Sequence, residues 1–179
     1  MSGPRFLVAA LLSLSIAAPA AAELPQGSKA PDFKTMGAVG GKTFRLHLSE
    51  QLQHGPLVLY FFPKAFTKGC TLESKAFADA MPDFRKAGAR VVGLSTDDLE
   101  TLEKFSTEVC RSVVPMARAT PSMVKAYDVA MPVVDTVTPM SDRTSYVIDT
   151  DGTIVMVHSQ MDYAEHVART LAAVRALAD

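Results

Sequence analysis

Much of what makes a function easy to read is missing from these 179 residues. Only two cysteines occur, Cys70 and Cys110, and none of the four histidines, His47, His54, His158 and His166, stands at a metal-ligand spacing from either of them. Scattered surface or core histidines are expected, not a metal centre. No basic run interleaved with aromatics is present, and 18 Lys+Arg stand against 19 Asp+Glu, so nothing points to a nucleic-acid partner. Repeats and low-complexity linkers are absent after the N-terminus, which speaks for one continuous domain.

The one long apolar stretch lies at the start. Arg5 precedes an apolar segment from Phe6 to Ala18, and Ala20-Ala21-Ala22 stand ahead of Glu23. That order of a positive end, an apolar run and small residues is expected of an export signal cleaved before Glu23. Ser13, Ser15 and Pro19 interrupt the run, which is marginal against the roughly 20 apolar residues needed to span a bilayer. The expected division is a signal peptide at 1–22 and a domain at 23–179, periplasmic or otherwise exported, with no stable membrane insertion once the signal is cleaved. Taking 22 from 179 leaves 157 residues, enough for one domain with a sizeable core. Arg5 is the only charge in the first segment, so the remainder carries 17 basic and 19 acidic residues, a formal charge of −2.

Along that domain, strand-like and helix-like stretches alternate, which predicts an α/β class. Leu57 to Phe62 is an unbroken apolar run bounded by Pro56 and Pro63, too short for a helix, and predicts a central strand buried on both faces. A polar loop from Lys64 to Gly69 follows, and Cys70 opens a helix predicted to reach about Ala87, with Pro82 expected to kink or divide it. Arg90 to Leu94 predicts a second strand. Asp97 with Glu100 suggests a helix start, and Leu99, Leu102, Phe105 and Val109 recur at helical spacing and place Cys110 at the helix end. A short strand at Val113 to Ala117 and a short helix at Ser122 to Tyr127 are expected next. Asp151-Gly152 between two apolar runs, Thr144 to Asp149 and Thr153 to His158, predicts a hairpin. The chain closes with a helix from about Tyr163 to Leu177, whose stripe of Val167, Leu171, Val174 and Leu177 reads as core packing.

A cysteine placed where a helix opens, directly after a buried strand and a loop, meets unpaired backbone N–H groups and the positive end of the helix dipole. Both favour the thiolate, the reactive form. Thr67 lies three residues before it, Pro63 can stiffen the loop, and Glu73 lies one turn into the helix, suited to orienting a cationic partner. Composition leaves a second reading open, since export allows a structural disulfide between the two cysteines to persist.

Pro63, Thr67 and Cys70 form Pro-x-x-x-Thr-x-x-Cys inside the stretch Leu57 to Phe77, and this resembles the active-site signature of the peroxiredoxins, most closely the Q-type or bacterioferritin comigratory branch. Two further blocks match in the family's order, Gly27 to Phe33 and Asp142 to Asp149 with the Asp-Gly turn that follows. The resemblance implies a thioredoxin-like fold with a central mixed sheet flanked by helices on both faces. It implies a thiol peroxidase acting on hydrogen peroxide and organic hydroperoxides, with no cofactor, since sulfur carries the redox chemistry. Cys70 would be the peroxidatic cysteine, Thr67 would hydrogen-bond the peroxide and the sulfur, and Arg143 would hold the thiolate and the developing charge.

Many Q-type members carry a resolving cysteine five residues after the peroxidatic one, where Lys75 stands here. Cys110 resembles the resolving cysteine that other members carry in the next helix. It would give an intramolecular disulfide after local unwinding, recycled by a thioredoxin-like or other thiol reductant, and Arg111 beside it would either lower its pKa or face water. A monomer or weak homodimer is expected by the same resemblance. An exported thiol-disulfide oxidoreductase is the alternative, but Cys70-Thr71-Leu72-Glu73 lacks the second thiol of Cys-x-x-Cys. A copper carrier of related fold would need paired cysteines and a histidine that this loop lacks.

Overall fold

The computed structural model describes residues 23–131 and 140–178, so the expected signal segment lies outside the described residues. In chain order the elements are β1 (Lys34–Val39), β2 (Lys42–His47), α1 (Leu48–Leu52), β3 (Leu57–Phe61) and α2 (Lys68–Lys86). Then come β4 (Arg90–Ser95), α3 (Leu99–Glu108), β5 (Met116–Arg118), α4 (Pro121–Ala126), β6 (Thr144–Ile148), β7 (Ile154–Ser159) and α5 (His166–Ala178).

Seven strands form one sheet in the order β2-β1-β5-β4-β3-β6-β7. β4 pairs parallel with both β3 and β5, and the other pairings are antiparallel, which makes the sheet mixed as expected. The apolar run of β3 explains its central place. Val58, Tyr60 and Phe62 point into a core shared with α2, α3 and α5, while Leu57, Leu59 and Phe61 point into a second core under α1 and α4. Both faces are thereby covered, which only a continuously apolar strand tolerates. Where the Tyr60 ring lies across β4, Gly93 is required, because a Cβ there would meet the ring at 2.6 Å.

Several boundaries differ from the sequence reading. The β1–β2 hairpin was not anticipated; its turn is Gly40-Gly41, at φ of 57° and 73°, the positive values a two-residue hairpin turn needs. α2 runs unbroken through Pro82. That residue lies on the exposed face, and burial of Phe77, Met81 and Phe84 on the opposite face outweighs the one lost ladder bond. The cap of α3 is Asp98, whose side chain accepts from the Thr101 N–H, and Asp97 serves the active-site loop instead. The expected strand at 113–117 begins three residues later and ends one later, as β5.

Candidate active site

α2 begins at Lys68, so Cys70 is its third residue and stands in the first turn rather than at its opening. Thr67 is the N-cap in backbone terms, yet its side chain makes no capping bond. Its hydroxyl donates to the Lys64 carbonyl at 2.9 Å, which corrects the expectation that this proton bonds the Cys70 sulfur. Two consequences follow. The first-turn N–H groups are not taken by the Thr67 side chain, and the Thr67 oxygen keeps lone pairs free to accept.

The loop leading into α2 is braced from outside. Asp97 accepts from the Ala65 N–H and from the Ser95 hydroxyl, both at 2.7 Å, and Ser141 donates to the Phe62 carbonyl at 2.9 Å, next to half-buried Pro63. Phe66 takes φ of 63° and packs edge-on against Phe105 of α3, with ring centres 5.1 Å apart. Pro63 and Thr67 thus sit in a fixed loop that leads into the helical turn carrying the sulfur.

Arg143, immediately before β6, is 4% exposed and reaches across the sheet to α2. Its Nη2 donates to Cys70 Sγ at 3.4 Å, its Nη1 pairs with Glu73 Oε2, and its Nε donates to the Met161 carbonyl at 2.9 Å. An arginine at the start of a strand is ordinarily solvated, and this one is not. Burial works against the guanidinium charge, but Glu73 and Cys70 more than offset it and the Arg143 pKa rises. Glu73 is fully buried, and burial pushes its carboxyl up to about 8 while Arg143 pulls the other way. Its second oxygen, Oε1, has no hydrogen-bond partner.

Cys110 follows α3 and is fully buried, in the same core as Cys70, and both thiols are free. Burial raises its pKa to about 12, with the Ser74 hydroxyl acting in the opposite sense. In this conformation it is a protonated thiol at neutral pH. Arg111 faces water and pairs with Asp79 of α2, so of its two expected roles the solvent-facing one is found. A depression of about 420 Å³ bounded by Met131, Asp142, Arg143, Ser159, Gln160 and Met161 opens on the arginine. Another of about 420 Å³, along β1 and β2 at Lys34, Arg45 and His47, lies away from the sulfur.

Among the described residues no group of histidine, cysteine and carboxylate side chains could hold a metal, and no helix is long and apolar enough to cross a membrane. Residues that the sequence reading missed or left unassigned also build this site. Asp97, Ser141, Ser145, Gln160, Met161 and His166 all act through hydrogen bonds to residues far away in sequence. Only Ser145 carried a signal, by its place in the Asp142 to Asp149 block.

A buried thiol in the first turn of a helix, with an arginine fork on it and a mixed sheet beneath, defines a thiol-dependent redox protein of thioredoxin-like fold. The chain belongs to the AhpC/TSA family, whose model matches residues 26–157. A protein of Mycobacterium tuberculosis whose name places it among the peroxiredoxins is 36% identical over 132 residues, covering 73% of this chain and 84% of that protein. Chloroplastic peroxiredoxin Q of Oryza sativa subsp. japonica is 28% identical over 156 residues, 87% of this chain and 69% of that one. Among solved structures, peroxidoxin BcpB from Mycobacterium tuberculosis superposes with a TM-score of 0.76 at 32% identity, covering 85% of this chain and 97% of that one. The chain is therefore a thiol-dependent peroxidase, acting on peroxides at the expense of a thiol reductant.

Proposed function

We propose that Cys70 is the peroxidatic thiol and that Cys110 resolves it, in an exported enzyme recycled by a thioredoxin-like donor. The observation that carries the reading is the Arg143 Nη2 contact with Cys70 Sγ at 3.4 Å, a fixed charge placed where a thiolate reacts. The Cys70 sulfur attacks the terminal peroxide oxygen, the O–O bond breaks, and the alkoxide or hydroxide leaves and takes up a proton. Cys70 becomes a sulfenic acid. Arg143 stabilises the charge that grows on the leaving oxygen, and a free lone pair of Thr67 accepts a hydrogen bond from the peroxide O–H.

Cys110 then attacks the sulfenic sulfur, water leaves, and a Cys70–Cys110 disulfide forms. Two electrons and two protons from a dithiol donor restore both thiols. A disulfide needs Cα atoms about 4.4 to 6.8 Å apart and correct Cβ vectors. Cys70 is fixed in the first turn of α2 and Cys110 is enclosed, so one of the two segments opens before the bond closes. Export at Ala22–Glu23 and a monomer or weak homodimer complete the reading. The bacterioferritin comigratory protein of Xanthomonas campestris, 25% identical to this chain, has alkyl peroxide reduction activity, which supports organic hydroperoxides among the substrates.

The test is peroxide consumption with dithiothreitol together with intact mass after one equivalent of peroxide. Parent activity abolished in Cys70→Ser, an internal disulfide in the parent, and sulfenic acid or an intermolecular dimer in Cys110→Ser are expected. Unchanged turnover of Cys110→Ser with a thioredoxin-like donor overturns the resolving role, and an inactive parent overturns the whole reading.

A further inference from the structure

His166, the first residue of α5, is fully buried and plays no part in the chemistry described above. Its Nε2 lies 2.9 Å from the Gln160 carbonyl, and a carbonyl only accepts, so Nε2 carries the ring proton. Nδ1 is then an acceptor, and the Ser145 hydroxyl donates to it at 2.8 Å. One tautomer is thereby set, and burial holds the ring neutral by lowering its pKa to about 4.

Both partners of the ring belong to the chain on either side of Arg143. Ser145 stands two residues beyond it on β6. Gln160 donates its own N–H to the Arg143 carbonyl at 3.1 Å, and the next carbonyl, that of Met161, accepts from Arg143 Nε at 2.9 Å. The ring therefore pins the Gln160 peptide that leads directly into the carbonyl aiming the guanidinium. Nδ1 also lies 3.7 Å from Glu73 Oε1, the carboxyl oxygen left without a donor. The lone pair of Nδ1 is taken by the Ser145 hydroxyl, so the ring makes no hydrogen bond to Glu73, and the carboxyl keeps Arg143 as its partner. The other ionisable groups acting on the ring are His158 of β7, with its ring centre 4.5 Å away, and Asp162. Met161 is 56% exposed, so without the Gln160 anchor nothing apolar would hold this segment against β6.

We propose that His166 is a positioning residue of the peroxidatic centre: by holding the Gln160 carbonyl and the Ser145 hydroxyl together, it fixes the backbone that aims Arg143 at Cys70. The inference rests on the reading that Cys70 and Arg143 carry out peroxide reduction. It extends that centre to α5, an element with no contact to the reacting sulfur.

Two substitutions separate the ring's two anchors. In His166→Gln the longer amide reaches the Gln160 carbonyl, whereas in His166→Asn the amide stays at the Nδ1 position and cannot. Stopped-flow oxidation of Cys70 by hydrogen peroxide is expected to stay within about threefold of the parent in His166→Gln. In His166→Asn it falls about tenfold, and the acidic limb of its pH–rate profile moves to higher pH; these factors match one to two hydrogen bonds' worth of positioning. Parental rate and profile in His166→Asn, or equal losses in both variants, overturn the proposal. If His166→Asn does not fold by circular dichroism, Ser145→Ala carries the test, with a loss of about threefold and the same profile shift supporting it and parental values overturning it. A failure here is distinct from failure of the main reading, which would appear as an inactive parent or an active Cys70→Ser.

Discussion

At the scale of single residues, the site is organised around one guanidinium with each nitrogen spoken for. Arg143 offers Nε to the Met161 carbonyl, Nη1 to Glu73 and Nη2 to Cys70, a three-way division that lysine's single ammonium cannot reproduce. Arg143→Lys is therefore expected to lose nearly as much as Arg143→Ala, about 100-fold in the rate of Cys70 oxidation, the size seen when one donor to a developing oxyanion is removed. Stopped-flow oxidation measures it, and a lysine variant within threefold of the parent would show that charge alone suffices. The same cluster sets a pH dependence of stability. The His166 pKa is lowered from 6.5 to about 4, chiefly by burial, so its contribution is fully present above 6.5 and is lost as pH falls through about 4. That shift corresponds to roughly 3 kcal/mol at about 1.4 kcal/mol per unit. Glu73 is shifted the opposite way, from 4.5 to about 8, so its contribution is present below 4.5 and lost as pH rises through about 8. The two drifts oppose each other in the parent. The informative quantity is thus the difference between His166→Gln and the parent in urea melts at pH 7 and pH 4, where the variant is expected to lose about 3 kcal/mol less on acidification.

At the scale of elements, the segment after α3 holds backbone strain beside Cys110. Arg111 and Ser112 take φ of 51° and 58°, a left-handed pair without glycine, each costing about 1 kcal/mol. Directly before them lies Cys110, enclosed on all sides, and the segment's outer tie is the exposed ion pair of Arg111 with Asp79, the kind that contributes little. Opening here releases that strain at the cost of the Ser112 N–H bond to the Ser106 carbonyl and the Val113 N–H bond to the Cys110 carbonyl, whereas opening the first turn of α2 breaks its helical bonds. Ser112→Gly removes the strain at an exposed position. It is expected to raise stability by about 1 kcal/mol and to slow formation of the Cys70–Cys110 disulfide several-fold, read by quenched-flow mass spectrometry. A faster or unchanged disulfide step would place the opening in α2. The strain was not legible in sequence, because Arg and Ser carry no mark of a left-handed backbone. Cys110 as a residue was legible, and so was its place near the end of α3.

At the scale of the whole molecule, a sheet of seven strands carries helices on both faces and brings the first turn of α2, the start of β6 and the start of α5 to one point. Expression of the full chain in a secreting bacterial host is expected to yield a periplasmic product beginning at Glu23, as read by N-terminal sequencing; an intact Met1 product in the cytosol would remove export from the reading. Local pattern by itself determined the buried strand β3, the helix carrying Cys70, the β6–β7 hairpin and the signature Pro63-Thr67-Cys70. Each of these is encoded over a few neighbouring residues, through apolar runs, turn glycines and helix starts. The burial of Arg143, the turning of the Thr67 hydroxyl to Lys64, the loop brace of Asp97, the enclosure of Cys110 and the double anchor of His166 were decided only by tertiary structure. Asp97 with Ala65 and Arg143 with Cys70 join residues 32 and 73 positions apart, and the others depend on how a loop turns or which face of a helix meets the sheet; no local pattern records which partner a side chain will find once the layers close.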